Sequence, residues 1–168
     1  QFLENKLKFS PYIGEAVVFG DARPFVTAIV AIDAATVGTW AERRNLAYTS
    51  FQDLSARPEV RGLIADEVRK CNAGLPPAIQ IRRFLVLNKE FDADDDEITR
   101  TRKIRRRFVA EKYAAIVEAF YNDDAAVEVS AEITYEDGRK AMLRSTLAIG
   151  DVEAEEVAAA PAREKAYA

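Results

Sequence analysis

Apolar and polar positions in the first part of the chain predict one helix followed by two strands. Residues 1–9 place apolar side chains at helical spacing, and Pro11 ends this helix because the residue before a proline avoids the α region. Residues 15–20 and 25–32 are short apolar runs joined by a tight turn, which predicts an antiparallel pair of strands. Both runs are apolar at nearly every position, so we expect a sheet covered by helices on both faces.

The middle of the chain predicts two helices and a third strand. Residues 34–45 and 58–73 carry apolar positions at helical spacing, and the second of these helices is the clearer one. Pro58 suits its first position, and Gly74 suits the position just after its end. Its apolar face contains Val60, Leu63, Ile64, Val68 and Cys71. Residues 79–88 then predict a strand.

The last third predicts a long helix and then a hairpin. Residues 104–122 have one apolar stripe at helical spacing, formed by Phe108, Val109, Tyr113, Ile116 and Phe120. Residues 127–135 and 140–149 partly alternate between apolar and polar positions, and the Asp-Gly pair between them is typical of a hairpin turn. From residue 151 the chain is rich in Ala and Glu, which predicts a disordered or weakly helical tail.

These elements predict an α+β fold with a small, mainly antiparallel sheet flanked by helices and an appended C-terminal β-hairpin. We expect a helix-and-strand domain over residues 1–122, the hairpin over residues 123–150 and the tail over residues 151–168. The length of 168 residues suits one domain with an appendage. Because the chain starts at Gln1 in the middle of a helical pattern, we expect it to be a fragment of a longer protein.

Composition narrows the chemistry that this chain can carry. It has no histidine and one cysteine, which excludes Ser-His and Cys-His catalysis, histidine metal sites and an internal disulfide. The formal net charge of −4 does not favour general affinity for nucleic acid or membranes. No apolar run approaches the length of a membrane span and no signal peptide is visible, so we expect a cytoplasmic protein. Any acid–base or electrostatic catalysis by this chain must therefore use Lys, Arg, Asp, Glu or Tyr side chains.

The chain carries an acidic turn, DADDDE, which invites comparison with a calcium-binding loop. Asp92, Asp94 and Asp96 match the first three ligand positions of an EF-hand. The match fails at Glu97, where glycine is needed, and at Lys103, where a bidentate glutamate is needed. We therefore predict a solvated turn and no metal site.

A basic segment over residues 100–112 follows the acidic turn. It contains Arg100, Arg102, Lys103, Arg105, Arg106, Arg107 and Lys112. Composition alone favours a solvated helix start whose charges balance the acidic turn. A stand-alone module that binds nucleic acid or another polyanion is a second interpretation, although the chain is acidic overall and no aromatic residues alternate with the arginines. The third interpretation is a mobile catalytic lysine, Lys103, with arginines that anchor its loop.

Several motifs occur in an order that decides between these interpretations. The first motifs are LENKLKFSPYI at residues 3–13, EAVVFGD at residues 15–21, and Arg23-Pro24 followed by AIVAID at residues 28–33. The later ones are Pro58-Glu59-Val60 with residues 64–72, FLVL at residues 84–87, and EITRTRKIRR at residues 97–106. Together they resemble the C-terminal domain of adenylate-forming enzymes, specifically that of long-chain fatty acid–CoA ligases (AMP-forming acyl-CoA synthetases). The likeness runs from Gln1 to about Tyr121 and leaves the hairpin and the tail without a counterpart.

By this resemblance, Lys103 falls on the catalytic lysine of the family. The commoner form of the family has glycine directly before that lysine, where this chain has Arg102. Arg100 stands where proline is frequent. We interpret both departures as marks of the long-chain subgroup, whose members often lack the glycine.

The resemblance implies a two-step ligase reaction in the intact protein. A fatty acid and ATP with Mg²⁺ give an acyl-adenylate and pyrophosphate, and CoA then displaces AMP to give the thioester. Lys103 would bring the carboxylate and the α-phosphate together, and the domain would swing about a hinge between the steps. The resemblance also implies an N-terminal adenylation domain in the same chain that binds most of the fatty acid, ATP and CoA, and no nucleic-acid partner.

We therefore expect the isolated chain to fold without a bound cofactor and without catalysing the reaction. Peripheral association of the intact enzyme with a membrane is left open. Formation of a homo-oligomer, for instance through the exposed edge of the hairpin, is also left open. The acyl chain length is not encoded here, because the acyl pocket would lie in the N-terminal domain.

Overall fold

The structure, a computed structural model, describes residues 1–153, except for the side chains of residues 131–134. The helices in this range are α1 (Phe2–Leu7), α2 (Ala34–Arg43), α3 (Phe51–Ala56), α4 (Pro58–Asn72), α5 (Arg106–Lys112) and α6 (Ala114–Tyr121). The strands are β1 (Ile13–Phe19), β2 (Val26–Ile32), β3 (Ile81–Val86), β4 (Ala126–Thr134) and β5 (Lys140–Asp151). A 3₁₀ turn, Pro77–Ile79, precedes β3. The tail predicted from residue 151 onward lies outside the described residues from residue 154.

One sheet joins these strands in the order β1-β2-β3-β5-β4. β1 and β2 pair antiparallel across the tight turn, as predicted, with Ala16 opposite Val30. β3 pairs with β2 in parallel, because α2, α3 and α4 carry the chain back along the sheet between the two strands. β5 pairs antiparallel with both β3 and β4. The predicted α+β class with a mainly antiparallel sheet is confirmed.

Helices cover both faces of the sheet, as the apolar strands predicted. On one face of the sheet, the four helices α1, α2, α3 and α4 pack on the strands. The buried side chains of this contact include Leu7, Val37, Leu54 and Ile64 from the helices and Val30, Ile32 and Phe84 from the strands. On the other face, α5 and α6 pack on the strands through Val17, Ile29, Leu85, Val109, Ile116 and Phe120. Ile29 and Val30 are neighbours on β2 that belong to opposite faces, which explains why that strand is apolar throughout.

The ends of α4 follow their local signals. Pro58 occupies the first turn, as predicted, where a missing N–H loses no helical hydrogen bond. The helix ends before Gly74, whose φ of +77° is the left-handed conformation expected just after a helix. Among the helices of residues 1–153, none is both long and apolar enough to cross a membrane.

The single helix predicted over residues 104–122 is wrong, because the structure divides it at Tyr113. α5 and α6 meet there, and Tyr113 leaves the helical conformation with φ −102° and ψ 23°. Its hydroxyl donates a hydrogen bond to the Glu97 carboxylate, so the break coincides with a tertiary contact. The start of the predicted helix is not helical either, since Ile104 forms an antiparallel bridge with Ile98.

The predicted hairpin is present, and it extends the sheet at one edge. β4 and β5 pair antiparallel along their length, and Gly138 in the turn between them has φ +83°. β5 also pairs with β3, with Ile149 opposite Leu85. Val127, Val129, Leu147 and Ile149 of the hairpin pack with α5 and α6. The hairpin therefore shares a core with the rest of the domain.

Arg83 on β3 fastens the hairpin and the end of α6 to the sheet. Its buried guanidinium donates to the Asp151 carboxylate at 2.8 Å, to the Phe120 carbonyl at 2.6 Å and to the Asp124 carbonyl. A cation is favoured at these carbonyls because the C-terminal end of a helix carries partial negative charge. One side chain thus joins β3, β5 and α6.

Candidate active site

A short loop holds Lys103 between two paired residues. Ile98 and Ile104 form an antiparallel bridge, and residues 98–104 are here termed the lysine loop. The Thr99 N–H donates to the Lys103 carbonyl at 2.8 Å, and the Lys103 N–H donates to the Thr99 hydroxyl at 3.1 Å. The backbone of Lys103 is therefore fixed, while its side chain is exposed.

Arg102, directly before the lysine, has a left-handed backbone with φ +61°. Residues other than glycine rarely adopt this conformation, because Cβ comes too close to a neighbouring carbonyl oxygen. The N–H of Arg102 donates to the Thr99 carbonyl at 2.8 Å and closes the turn. The lysine loop therefore needs a left-handed residue here, which gives a physical reason for the glycine expected at this position.

Lys103 lines an open cleft of about 330 Å³ between the lysine loop, α1 and the start of β1. The cleft is also lined by Gln1, Glu4, Asn5, Lys8, Glu15, Arg102, Ile104 and Arg106. Lys8 and Glu15 pair at 3.2 Å and neutralise each other. Within residues 1–153 the ammonium group of Lys103 has no ion-pair or hydrogen-bond partner. It is therefore available to an anion that enters the cleft.

Glu4 and Arg106 join the two sides of this cleft. Glu4 on α1 is buried, and its carboxylate accepts hydrogen bonds from the Val18 N–H at 3.0 Å and from the Arg106 guanidinium. Arg106 also donates to the Val18 carbonyl at 3.3 Å. Sequence reasoning missed Glu4: its spacing from the apolar Leu7 places both on one face of α1, but only the folded chain brings Arg106 to the carboxylate.

The acidic turn contains one residue that is not solvated. The aspartates are exposed, but Glu97 is completely buried, which corrects the prediction of a solvated turn at this position. Its carboxylate accepts hydrogen bonds from the Asp92 N–H at 3.1 Å, the Lys89 ammonium and the Tyr113 hydroxyl. The Lys112 ammonium lies 3.4 Å away. The three hydrogen bonds and this ion pair compensate a charge that would otherwise be costly to bury.

The Glu97 cluster changes the pKa of two of its neighbours. Burial, reinforced by the hydrogen bond to Glu97, raises the pKa of Tyr113 far above its usual range, so the hydroxyl remains a donor. The hydrogen bond from Lys89, whose ammonium lies 2.9 Å from Asp95, lowers the pKa of that carboxyl group. At neutral pH the tyrosine is therefore protonated and the aspartate is an anion.

Three arginines of the basic segment are engaged with carboxylates. Arg105 lies 3.0 Å from Asp96, Arg107 lies 3.4 Å from Glu111, and Arg106 pairs with Glu4. Arg105 and Arg106 thereby anchor the C-terminal side of the lysine loop. These pairs reduce the positive charge available to the phosphates of a polyanion.

Ligands for a metal ion do not converge in the described part of the chain. No group of three or more Asp, Glu or Cys side chains within residues 1–153 is arranged to hold one.

Solved structures of larger enzymes share this fold. The A-PCP didomain of carboxylic acid reductase from Segniliparus rugosus matches with a TM-score of 0.56 at 19% sequence identity, over 73% of this chain and 16% of that chain. The adenylation domain of a carboxylate reductase from Mycobacterium chelonae matches with a TM-score of 0.56 at 22% identity, over 72% of this chain and 17% of that chain. At these identities the similarity establishes the fold alone.

Relatives and a family model match the same part of the chain. The long-chain-fatty-acid–CoA ligase FadD15 of Mycobacterium tuberculosis is 38% identical over 123 residues, which are 73% of this chain and 20% of that protein. Long-chain-fatty-acid–CoA ligase 1 of Homo sapiens is 24% identical over 71% of this chain and 18% of that protein. This chain thus spans about a fifth of the length of these relatives. The model of the AMP-binding enzyme C-terminal domain matches residues 1–125 and confirms the resemblance: the chain belongs to the family of AMP-binding enzyme C-terminal domains.

Proposed function

We propose that this chain is the mobile C-terminal domain of an AMP-forming long-chain fatty acid–CoA ligase and that Lys103 is its catalytic lysine. The relatives that match it are fatty-acid–CoA ligases about five times as long as the matched segment, which supports an N-terminal adenylation domain in the same protein. The substrates in this proposal are a fatty acid, ATP with Mg²⁺, and CoA. We expect the intact enzyme to be cytoplasmic.

The observation that carries the proposal is that the Lys103 ammonium group has no carboxylate partner among the described residues. It lines the cleft beside α1 without a carboxylate partner in the described residues. The three arginines that follow it are all paired with carboxylates. Lys103, with Arg102 beside it in the same cleft, therefore carries charge that no carboxylate of the described residues neutralises, and a substrate anion would meet it there.

A lysine suits the adenylation step because two anions must react. The fatty acid carboxylate attacks the α-phosphorus of ATP, a P–O bond forms, and the bond to pyrophosphate breaks. A compact ammonium between the two anions lowers their repulsion and stabilises the charge on the phosphate oxygens in the transition state. Removing one such preorganised donor typically lowers the rate by about 10²- to 10³-fold.

The second step does not need the ammonium at that position. The CoA sulfur attacks the acyl carbon, and AMP leaves with the former carboxylate oxygen. The hydrogen bonds between Thr99 and Lys103 fix the shape of the lysine loop, and the Arg106–Glu4 pair just after the loop holds it to α1. The lysine would therefore leave the site when the domain moves as a body. We propose that this movement withdraws Lys103 and brings another part of the domain surface to the CoA.

Lys103→Ala in the full-length ligase tests the proposal. Fatty-acid-dependent ATP–pyrophosphate exchange should fall by about 10²- to 10³-fold, because that assay isolates adenylation. Thioester formation from preformed acyl-adenylate and CoA should be retained. Exchange that is unchanged in this variant would show that Lys103 is not the adenylation lysine.

Two controls accompany this measurement. Arg107→Ala removes an exposed cation of the same segment that is paired with Glu111, and it should leave exchange unchanged. The isolated chain should show no turnover in either assay, since most substrate contacts would lie in the N-terminal domain. Turnover by the isolated chain would contradict its assignment as one part of a larger active site.

A further inference from the structure

Glu97 lies at the base of the lysine loop and is held there by its main chain. Its N–H donates to the Asp92 carbonyl at 3.0 Å, and its carbonyl accepts from the Arg105 N–H at 2.9 Å. The next residue, Ile98, begins the loop through its bridge to Ile104. A displacement of Glu97 is therefore transmitted to both ends of the loop.

The Glu97 side chain fixes this base to two other elements. Lys89 lies in the segment after β3, whereas Lys112 and Tyr113 lie at the end of α5, so one carboxylate joins that segment, the helix and the loop. The carboxylate is fully buried. A buried ion surrounded by its donors favours a single geometry, because any shift leaves a charge short of partners in a medium of low dielectric constant.

The hairpin encloses the same cluster from the other side. A cavity of about 400 Å³ is lined by Lys89, Asp95 and Lys112 of the cluster and by Val129 and Leu143 of the hairpin. The family match ends at residue 125, before β4. Val129 and Leu143 of the hairpin therefore lie beside the lysines that contact Glu97, and the hairpin forms part of the wall around this cluster.

We propose that Glu97 is a positioning residue whose buried carboxylate holds the base of the lysine loop, so that the Lys103 ammonium reaches the reacting groups. The inference rests on the proposed function, because it requires Lys103 to act in adenylation. Glu97 itself touches no substrate in this account. Its loss should slow the step that uses Lys103 and leave substrate binding and thioester formation intact.

Glu97→Gln in the full-length ligase is the test. Glutamine keeps the shape of the side chain, but it removes the negative charge that Lys89 and Lys112 contact. Its NH₂ group would also point at groups that donate hydrogen bonds to the Glu97 carboxylate. We expect kcat of ATP–pyrophosphate exchange to fall by about 10- to 100-fold with little change in KM, since small misplacements of a catalytic group have effects of this size. Thioester formation from preformed acyl-adenylate should be unchanged.

A double variant separates positioning from general structural support. If Glu97 acts through Lys103, then Glu97→Gln should lower exchange no further once Lys103→Ala is present. A contribution to domain stability alone would multiply the loss in the double variant, and it would lower both half-reactions together.

Two further variants test whether the effect is specific to the Glu97 carboxylate and its partners. Asp94→Asn removes one charge from an exposed position of the same acidic turn and should leave exchange at the wild-type level. Tyr113→Phe removes only the hydroxyl that donates to Glu97 and should cause a smaller loss of the same kind. If Glu97→Gln does not fold, the comparisons are made with Tyr113→Phe, which keeps the carboxylate and its lysine partners.

The outcomes distinguish this inference from the function on which it rests. Equal losses in the two half-reactions, or a multiplied loss in the double variant, would overturn the positioning role of Glu97 and leave Lys103 in place. A Lys103→Ala variant with full exchange activity would overturn the proposed function, and the inference with it.

Discussion

At the residue scale, the lysine loop combines a residue in an unfavourable backbone conformation with one whose charge has no partner in the described residues. Arg102 has a φ of +61°, and the neighbouring Lys103 ammonium lines the cleft. A left-handed backbone at a residue other than glycine costs about 1–2 kcal/mol. The hydrogen bonds of Thr99 and the buried Glu97 hold the loop against this tendency.

Arg102→Gly should relieve the conformational strain and raise the free energy of unfolding by up to about 1 kcal/mol. The gain is smaller than the strain itself, because glycine increases the entropy of the unfolded chain. Chemical denaturation followed by circular dichroism measures the change. Arg100→Gly is the matched control: its φ is not positive, so glycine should lower stability there. Equal effects of the two variants would contradict the prediction.

Motif order predicts Lys103 as the catalytic lysine, and that stays a prediction, but the sequence did not reveal the two buried carboxylates near it. Glu97 lies in an acidic run that is otherwise exposed, and its burial depends on Lys89 and Tyr113. Glu4 depends on Arg106, which is 102 positions away in the chain. A carboxylate is buried only where its donors converge, and that convergence is a property of the folded chain.

At the scale of elements, periodicity identified buried faces better than it identified boundaries. The stripe predicted over residues 104–122 is correct for Val109, Ile116 and Phe120, all of which are buried. The same stripe continues through Tyr113, so the pattern contains no sign that α5 and α6 are separate. The division coincides with the hydrogen bond from Tyr113 to Glu97, a tertiary contact that the spacing of apolar residues does not encode.

Arg83→Leu should lower the free energy of unfolding by about 3–5 kcal/mol. The substitution removes the Arg83 side-chain donors that reach Asp151 on β5 and the end of α6, and it leaves the Phe120 carbonyl without this partner. The change is measured as a shift of the midpoint of chemical denaturation.

Arg82→Leu provides the control for this variant. Arg82 is the preceding residue on β3, and its buried Nε atom has no hydrogen-bond partner among the residues that the structure describes. This substitution removes the same charge but, within residues 1–153, no hydrogen bond between β3 and another element. It should therefore lower the free energy of unfolding much less than Arg83→Leu does. Similar losses in the two variants would show that Arg83 does not fasten these elements together.

At the scale of the whole molecule, the hairpin is packed onto the domain at very close range. A Cβ atom built on Gly150 would lie 2.4 Å from the Phe84 ring. Gly150→Ala should therefore separate β5 from β3 and lower stability by about 1–3 kcal/mol, as overpacking of a core does. Thermal unfolding of the whole chain measures this effect.

Gly62→Ala is the matched control for that variant. Gly62 lies inside α4, and an added Cβ there meets nothing within 4 Å. Alanine should raise stability at this position by about 0.5–1 kcal/mol, because it favours the helix. A neutral Gly150→Ala variant beside a stabilised Gly62→Ala variant would mean that the hairpin is not tightly seated.

The place of β5 between β3 and β4 also bears on solubility. A chain that ended at residue 125 would leave one side of β3 unpaired, with its N–H and C=O groups open as a template for strands of other molecules. The hairpin moves the open side of the sheet outward to β4, where the exposed Glu128 lies 3.6 Å from Arg144. Charged side chains on an outer strand discourage further strand pairing. The two added strands thus protect the apolar centre of the sheet from aggregation.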